Sequence, residues 1–498
     1  MASKIMTEKY LLGIDFGGGS AKATLISTEG KIISECSAEY PTYHPQNGFC
    51  EQSPEDWKNA LGTVCSSLIK NGSVDPRDIL AVAVDSATHT AVLCDEDYNV
   101  LCNAIHWTDS RSAEQSRFLS SAYGEMIFGL TFHKPDTIWT MPQLLWIRQN
   151  KPDLFKRIKH VAFEKDYLRF LLTGVWCTDY IEAAGSMLFD VNEGKWSAQL
   201  CDLTGIDKSV FPEVTDPLSI VGKINGYGAS LTGLSSDTFV VCGTTDTAME
   251  ILASGSIKKS DTTVKLATAG RICVITDKPF PDRDLVNYRH VEKGLWYPGT
   301  ATKAAASSLR WYRDTFGDNY TGIDEKAKDI PIGCDGLFFH PYINGELTPY
   351  ADPSLCGSFV GIRSTHTKAH FDRSILEGVA FSLLHSLKKL ESIGIEHSSV
   401  ATLIGGGAKS LIWGRIVSDC LGISLSVNEN SDSSLGSAML AGVSLGVFGS
   451  FEDAINKCVK RVCTIDPIYE NTVLYNRLFE KYVKIHDALA PLYHGELL

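Results

Sequence analysis

The feature that most constrains this chain is a β-hairpin with a small-residue turn that occurs once near the start and again in the second half. Tyr10–Ile14 reads as a strand, Asp15-Phe16-Gly17-Gly18-Gly19-Ser20 as a tight turn, and Ala21–Ser27 as its antiparallel return. Thr263–Leu266, the turn Ala267-Thr268-Ala269-Gly270 and Ile272–Thr276 repeat that plan, which points to internal duplication. β-Branched runs alternate with helical patterns through the rest of the chain, so the fold class is α/β. The spacing predicts strands at Lys31–Glu35, Ile79–Asp85, Thr238–Cys242 and Val400–Ile404. It predicts helices over Asp136–Asn150, Phe155–Leu172, Thr247–Ala253, Lys303–Asp314, Phe371–Leu390 and Ser410–Leu421, with a helical tail from Phe451. A boundary falls near residues 250–262, where Ala253-Ser254-Gly255-Ser256 and a polar run interrupt the pattern.

Composition bounds what such a fold can do. With 498 residues, 44% hydrophobic and 21% charged, the chain can bury a sizeable core and is not intrinsically disordered. The length suits two large domains. A net charge of −13 argues against a nucleic-acid partner, because phosphate-backbone binders concentrate positive charge. No run reaches the roughly 18 apolar residues that cross a bilayer, and Met1–Tyr10 lacks the apolar centre of a signal peptide, so a cytoplasmic protein without a membrane partner is expected. The 14 cysteines form no CxxC pair and read as small buried hydrophobes.

Three segments could carry chemistry. In the first turn, Gly17, Gly18 and Gly19 let backbone N–H groups converge on an anion, and Ser20 and Lys22 share one face of the return strand. Phosphate fits there, and Asp15 would repel it unless a divalent cation such as Mg2+ lay between them, held through water. The competing reading is a hairpin that uses glycine only for its dihedrals. In the second segment, the strand Thr238–Cys242 runs through Gly243-Thr244-Thr245 into Asp246. Asp246 is either the N-cap of the following helix or a carboxylate base placed by a rigid strand. In the third, Gly405-Gly406-Gly407-Ala408-Lys409-Ser410 joins a strand to a helix, and its glycines offer a ledge without side chains on which a base and ribose can lie.

Taken in order, these segments resemble the FGGY family of carbohydrate kinases, within the superfamily of sugar kinases, Hsp70 and actin. Gly13-Ile-Asp15-Phe-Gly17 is similar to the family's first phosphate motif, Gly243-Thr-Thr-Asp246 to its catalytic-aspartate motif, and Gly405–Ser410 to its adenosine motif. Further matching landmarks are Glu51-Gln52 with Trp57, Trp107-Thr-Asp109-Ser-Arg111, Lys165-Asp166-Tyr167-Leu168 with Leu172-Thr-Gly174, and Gly345-Glu346. Gly357-Ser-Phe-Val-Gly361-Ile362, His370-Phe371 and Ser374-Ile-Leu-Glu377 match the C-terminal signature.

The resemblance implies two actin-like (ribonuclease H-like) domains, each a five-stranded mixed sheet flanked by helices, with an interdomain cleft. Residues 9–250 would bind the sugar and 251–490 the nucleotide. It implies ATP and Mg2+ as cofactors, Asp246 as general base and Asp15 as the residue holding the metal. Gly17, Gly18, Gly19, Ser20, Lys22, Thr268 and Gly270 would lie along the phosphates, and Gly406, Gly407 and Ala408 along the nucleotide. Many members are dimers, which leaves a homodimer open.

For the sugar, Thr88, His89, Asp109 and Asp246 are the candidate contacts. Glycerol kinases of the family carry Arg-Glu after the strand at Ala81–Asp85, where this chain reads Ser86-Ala87-Thr88-His89-Thr90, so glycerol is disfavoured. His89 aligns with the histidine of the family's xylulose kinases, pointing to a ketopentose such as xylulose, with another polyol, ketose or sugar acid as the alternative. Asp109 and Arg111 either brace the domain as an ion pair or contact substrate. Several positions depart from the family pattern: Gly18 replaces a threonine, Ala267 and Ala269 sit in a turn usually written Gly-Thr-Ser-Gly, Gln143 replaces a lysine, Leu347 an arginine and Arg415 a glutamine. The altered turns motivate a second hypothesis, a catalytically impaired sugar-sensing relative.

Overall fold

The computed structural model describes residues 8–494. Both hairpins form. Tyr10–Phe16 pairs antiparallel with Ser20–Ser27, and Thr262–Leu266 pairs antiparallel with Gly270–Val274. Each hairpin then joins a mixed sheet by a parallel pairing, Tyr10–Phe16 with Ile79–Ser86 and Thr262–Leu266 with Val400–Ile404. The two sheets therefore share a plan, as the sequence repeat leads one to expect.

The chain forms two compact units. The first takes the described residues up to Gly255 together with Tyr288–Lys293 and Asn430–Val459. The second takes Ser256–Asn287, Gly294–Glu429 and the described residues from Lys460. In the first unit the sheet order is Ile220–Lys223, Phe239–Val241, Ile79–Ser86, Tyr10–Phe16, Ser20–Ser27, Ile32–Glu39. That is six strands where five are expected, because Ile220–Lys223 adds antiparallel at the edge of Phe239–Val241. The second sheet has five: Gly270–Val274, Thr262–Leu266, Val400–Ile404, Ser424–Asn428 and Arg461–Ile465.

The strands Tyr10–Phe16 and Ile79–Ser86 are buried on both faces, which is why they read as unbroken apolar runs. One face is covered by the helix Ser433–Ser444, whose small residues let backbones meet. A Cβ on Gly13 would stand 1.9 Å from the Ser434 carbonyl oxygen, and one on Gly436 would stand 2.1 Å from that of Met249. The Thr24 and Ser434 hydroxyls lie 2.8 Å apart across this contact. The other face packs on the helix Pro54–Gly72 through Trp57, Leu61, Val64 and Leu68. The second unit's core is built around the helix Lys368–Ser392, with Ile375, Val379, Leu383 and Leu387 among its fully buried residues.

Two segments differ from the sequence expectation. Phe155–Leu172 is not one helix: Pro152–Arg157 is helical, His160–Phe163 is a strand paired with Ala91–Cys94, and Glu164–Thr173 is a new helix. The strand's apolar residues satisfy a helical pattern equally well, and only its long-range partner decides between them. The tail is likewise interrupted by the strand Arg461–Ile465 between the helices Phe451–Cys458 and Tyr469–Leu489. All 14 cysteines are free thiols, and most are buried. No helix among the described residues is long and apolar enough to cross a membrane.

Candidate active site

The first glycine turn does not use glycine for its dihedrals. Gly17, Gly18 and Gly19 are absent from the positive-φ positions, so this is neither of the primed turns that favour glycine in two-residue hairpins. Nor is the space needed by the protein, since a Cβ on Gly18 or Gly19 would meet nothing within 4 Å. Their carbonyls are all tied down. Gly17 O accepts from the Tyr40 hydroxyl, Gly18 O from Gln52 Nε2 at 3.0 Å and Thr42 Oγ1 at 3.2 Å, and Gly19 O from the Tyr40 N–H at 3.1 Å. A trans peptide points its N–H opposite its C=O, so the N–H groups of Gly18, Gly19 and Ser20 face away from these anchors. This explains the Glu51-Gln52 and Trp57 landmark: Trp57 Nε1 donates to Gln52 Oε1 at 3.2 Å, and Gln52 holds the turn. Lys22 extends toward Asp432, with Nζ 3.7 Å from its carboxylate.

The second unit's hairpin turn is tied in the same way. Ala267 O accepts from Ala306 N at 2.8 Å and Thr268 O from Ser307 N at 3.2 Å, so the start of the helix Ala306–Phe316 grips the carbonyls. The Thr268 and Ala269 N–H groups point the other way. Gly270 is buried, and a Cβ there would stand 2.6 Å from Thr302 Cγ2.

The three glycines at 405–407 have three different reasons. Gly405 has φ +88°, the left-handed region. A Cβ on Gly407 would stand 2.6 Å from Leu266 Cβ and 3.0 Å from the Trp413 ring. Gly406 is exposed, has ordinary φ, and a Cβ there would meet nothing. Of the expected ledge, Gly406 alone is left open by the protein's own packing, with Ala408 half-buried beside it.

In the first unit, Asp15 and Asp85 stand in register on adjacent parallel strands. Burial first, then the charge of Asp246, pushes Asp15 up to about 7, while hydrogen bonds with Asp85 and Ser433 pull the other way. Burial and the neighbouring Asp15 hold Asp85 well above the usual carboxylate range. Burial and mutual repulsion therefore favour a proton held by the pair. Ser437 donates to Asp85, whereas Asp15 Oδ1 is buried without a hydrogen-bond partner among the described residues.

Asp246 is the first residue of the helix Asp246–Ala253, and its N-cap is Thr245, whose hydroxyl accepts from Ala248 N. The capping role the sequence left open for Asp246 is thus filled by its neighbour. Its Oδ1 accepts from Thr247 N at 2.6 Å and Thr247 Oγ1 at 3.2 Å, and the Thr88 hydroxyl lies 3.5 Å away. No protein donor among the described residues takes Oδ2. The turn is rigid: Gly243 has φ +74° with the Val84 carbonyl 2.1 Å from where a Cβ would be, and Thr244 donates to Asp179 at 2.9 Å. Behind it lies a buried ion network that accounts for the Lys165-Asp166 landmark. Lys165 binds Asp166 and Asp179 at 2.6 and 2.9 Å, and Arg169 binds Asp166 and the Cys242 carbonyl at 2.9 and 2.7 Å.

Thr88 comes to Asp246, and His89 follows it in the chain. His89 has φ +58°, its N–H donates to Glu182, and its carbonyl accepts from Thr140 at 2.9 Å. Its ring stacks on Trp139 with centroids 4.7 Å apart. Gly185 makes room for this corner, since a Cβ there would lie 2.9 Å from Thr88 Cγ2 and 3.2 Å from the Tyr288 hydroxyl. Asp109 is not in this group. Its carboxylate is taken up by Arg111 Nε at 3.0 Å, by Arg111 Nη2 at 2.8 Å and by Cys50 N, with the Arg111 guanidinium over Phe49. Sequence reasoning missed Asp85, Trp139, Glu164 and Glu182, whose surroundings are set by residues far away in the chain.

Comparison with known proteins identifies the family. The family model for the N-terminal domain of the FGGY family of carbohydrate kinases matches residues 10–253, and that for the C-terminal domain matches 239–445. The chain is 32% identical to xylulose kinase of Bacillus subtilis (strain 168) over 97% of its length and 98% of the relative's. It is 27% identical to gluconokinase of the same organism over 97% of both. The crystal structure of xylulose kinase from Rhodospirillum rubrum superposes with a TM-score of 0.89 at 26% identity, covering 98% of this chain and 100% of that one.

Proposed function

The chain belongs to the FGGY family of carbohydrate kinases, and from that premise we propose that it phosphorylates a hydroxyl of an open-chain ketopentose, xylulose being the best fit. The observation that carries this reading is the Thr88 hydroxyl beside Asp246, with His89 next in the chain and Asp246 Oδ2 taken by no protein donor among the described residues. Asp246 accepts the proton of the attacking hydroxyl, the sugar oxygen forms a bond to the γ-phosphorus in line, and the bond to the ADP oxygen breaks. The N–H groups of Gly18, Gly19 and Ser20 hold phosphate oxygens, with Gly17 shaping the turn and Lys22 adding charge. Thr268 and Gly270 serve the phosphates from the second hairpin, and Gly406, Gly407 and Ala408 the nucleoside.

Asp15, with a buried oxygen that lacks a partner, fits a water-mediated hold on Mg2+, which would offset phosphate charge when bound. Residues 9–250 bind sugar and 251–490 nucleotide in this reading, and the setting is cytoplasmic. A sugar acid, the substrate class named for the Bacillus subtilis gluconokinase, is the alternative substrate. An ADP-release screen over ketopentoses, polyols and sugar acids tests the proposal. Turnover highest with a ketopentose supports it. Turnover with none of them, alongside measurable sugar binding, supports the sensing relative instead.

A further inference from the structure

Glu164 opens the helix Glu164–Thr173 where the strand His160–Phe163 ends. Its backbone is pinned to the corner that carries the sugar contacts. The Glu164 N–H donates to Thr90 O at 3.0 Å and the Lys165 N–H to Ser86 Oγ at 3.1 Å, while Ser86 pairs with Phe16 and bridges Thr245. The side chain is fully buried, yet neither carboxyl oxygen has a hydrogen-bond partner among the described residues. The adjacent cations do not compensate, since Lys165 and Arg169 are committed to Asp166 and Asp179. The ionisable groups whose charges bear on Glu164 are Asp15, Glu182 and Asp246. Burial, then those charges, hold its carboxyl well above the ordinary range, which favours the protonated form, with one O–H donor and a free acceptor. A buried polar group without a partner is costly, and a ligand hydroxyl that reached it would supply the partner.

We infer that Glu164 is a further specificity-determining residue, whose carboxyl group hydrogen-bonds a hydroxyl of the sugar held beside Thr88, His89 and Asp246. This rests on the proposed sugar-kinase function. The full chain, E164Q and E164L are compared by initial rates with ketopentose, ATP and Mg2+ each varied, by calorimetric titration of the sugar without ATP, and by thermal melting. Glutamine keeps a donor and an acceptor, so E164Q should stay within about threefold of the parent in sugar KM. E164L should raise sugar KM and calorimetric Kd by roughly ten- to a hundredfold, with ATP KM within about twofold and a melting temperature no lower than the parent's.

Unchanged sugar binding in E164L overturns the inference. So does a loss that appears as a raised Mg2+ requirement, which would make Glu164 a metal-water partner, or as a fall in melting temperature that E164Q does not rescue. If the parent turns over no sugar, the proposed function fails, while calorimetry still tests Glu164. Absence of sugar binding by the parent overturns both.

Discussion

Asp15 and Asp85 face one another in register across two parallel strands, and Ser437, 352 residues further along the chain than Asp85, donates to the second of them. Two carboxyls that close cannot both ionise cheaply, so the pair folds with a proton that the unfolded chain would release at neutral pH. A raised folded pKa gives stability that is complete below the unfolded value near 3.8 and is lost as pH rises toward the folded one, which is about 7 for Asp15 and is likewise raised for Asp85. In the absence of divalent cations, Asp85→Asn should therefore raise the melting temperature at pH 8 by several degrees, with the gain shrinking to nothing near pH 4. Equal melting curves at pH 8 would refute the shared proton.

Asp246→Asn keeps the shape and the Thr247 contact but removes the base. Sugar-dependent ADP release should fall by about a thousandfold or more, while ATP affinity changes less than about threefold. Rapid-quench turnover and nucleotide binding by fluorescence measure the two halves. Retention of most turnover would remove Asp246 from the proposed chemistry.

Gly406→Ala and Gly407→Ala separate ligand space from packing space at neighbouring positions. The Gly406 variant should melt within about 2 °C of the parent and raise ATP KM, because only a ligand could occupy that space. The Gly407 variant should lose about 1–3 kcal/mol, because its methyl group would press on Leu266 and Trp413. Equal stability of the two would contradict the packing described.

His340, buried at the end of the strand Phe338–His340, and His385, half-buried on the helix Lys368–Ser392, pack against Tyr482 and Phe479 of the helix Tyr469–Leu489, and loss of solvent pushes each down to about 4. A depressed folded pKa gives stability that is complete above the unfolded value near 6.5 and is lost as pH falls toward 4. Urea unfolding should weaken across that window by up to about 1.4 kcal/mol per pH unit for each histidine, and His385→Gln should flatten part of the slope. The same slope in the variant would show that other groups carry the acid sensitivity.

Much of this was legible in the residues alone. The duplicated hairpins, the parallel strand at Ile79, the glycine motifs and the order of landmarks are local patterns, and local sterics and hydrophobic periodicity suffice to read them. The six-stranded sheet was not, because Ile220–Lys223 is half-exposed and becomes a strand only by pairing with Phe239–Val241. Nor was the break in Phe155–Leu172, where His160–Phe163 owes its extended form to Ala91–Cys94, far away in the chain.

What the amino-acid order determined by itself was which chemical groups are present and how they are spaced: acids at 15 and 246, glycines at 17–19 and 405–407, histidine at 89. What only the tertiary structure decided was how each group is occupied. It committed Asp109 to Arg111, gave the cap to Thr245 in place of Asp246, filled the space beside Gly407 but not Gly406, and left Glu164 buried without a partner. Occupancy depends on atoms brought together from distant parts of the chain, and no spacing along the sequence encodes which lone pair or which volume is already taken.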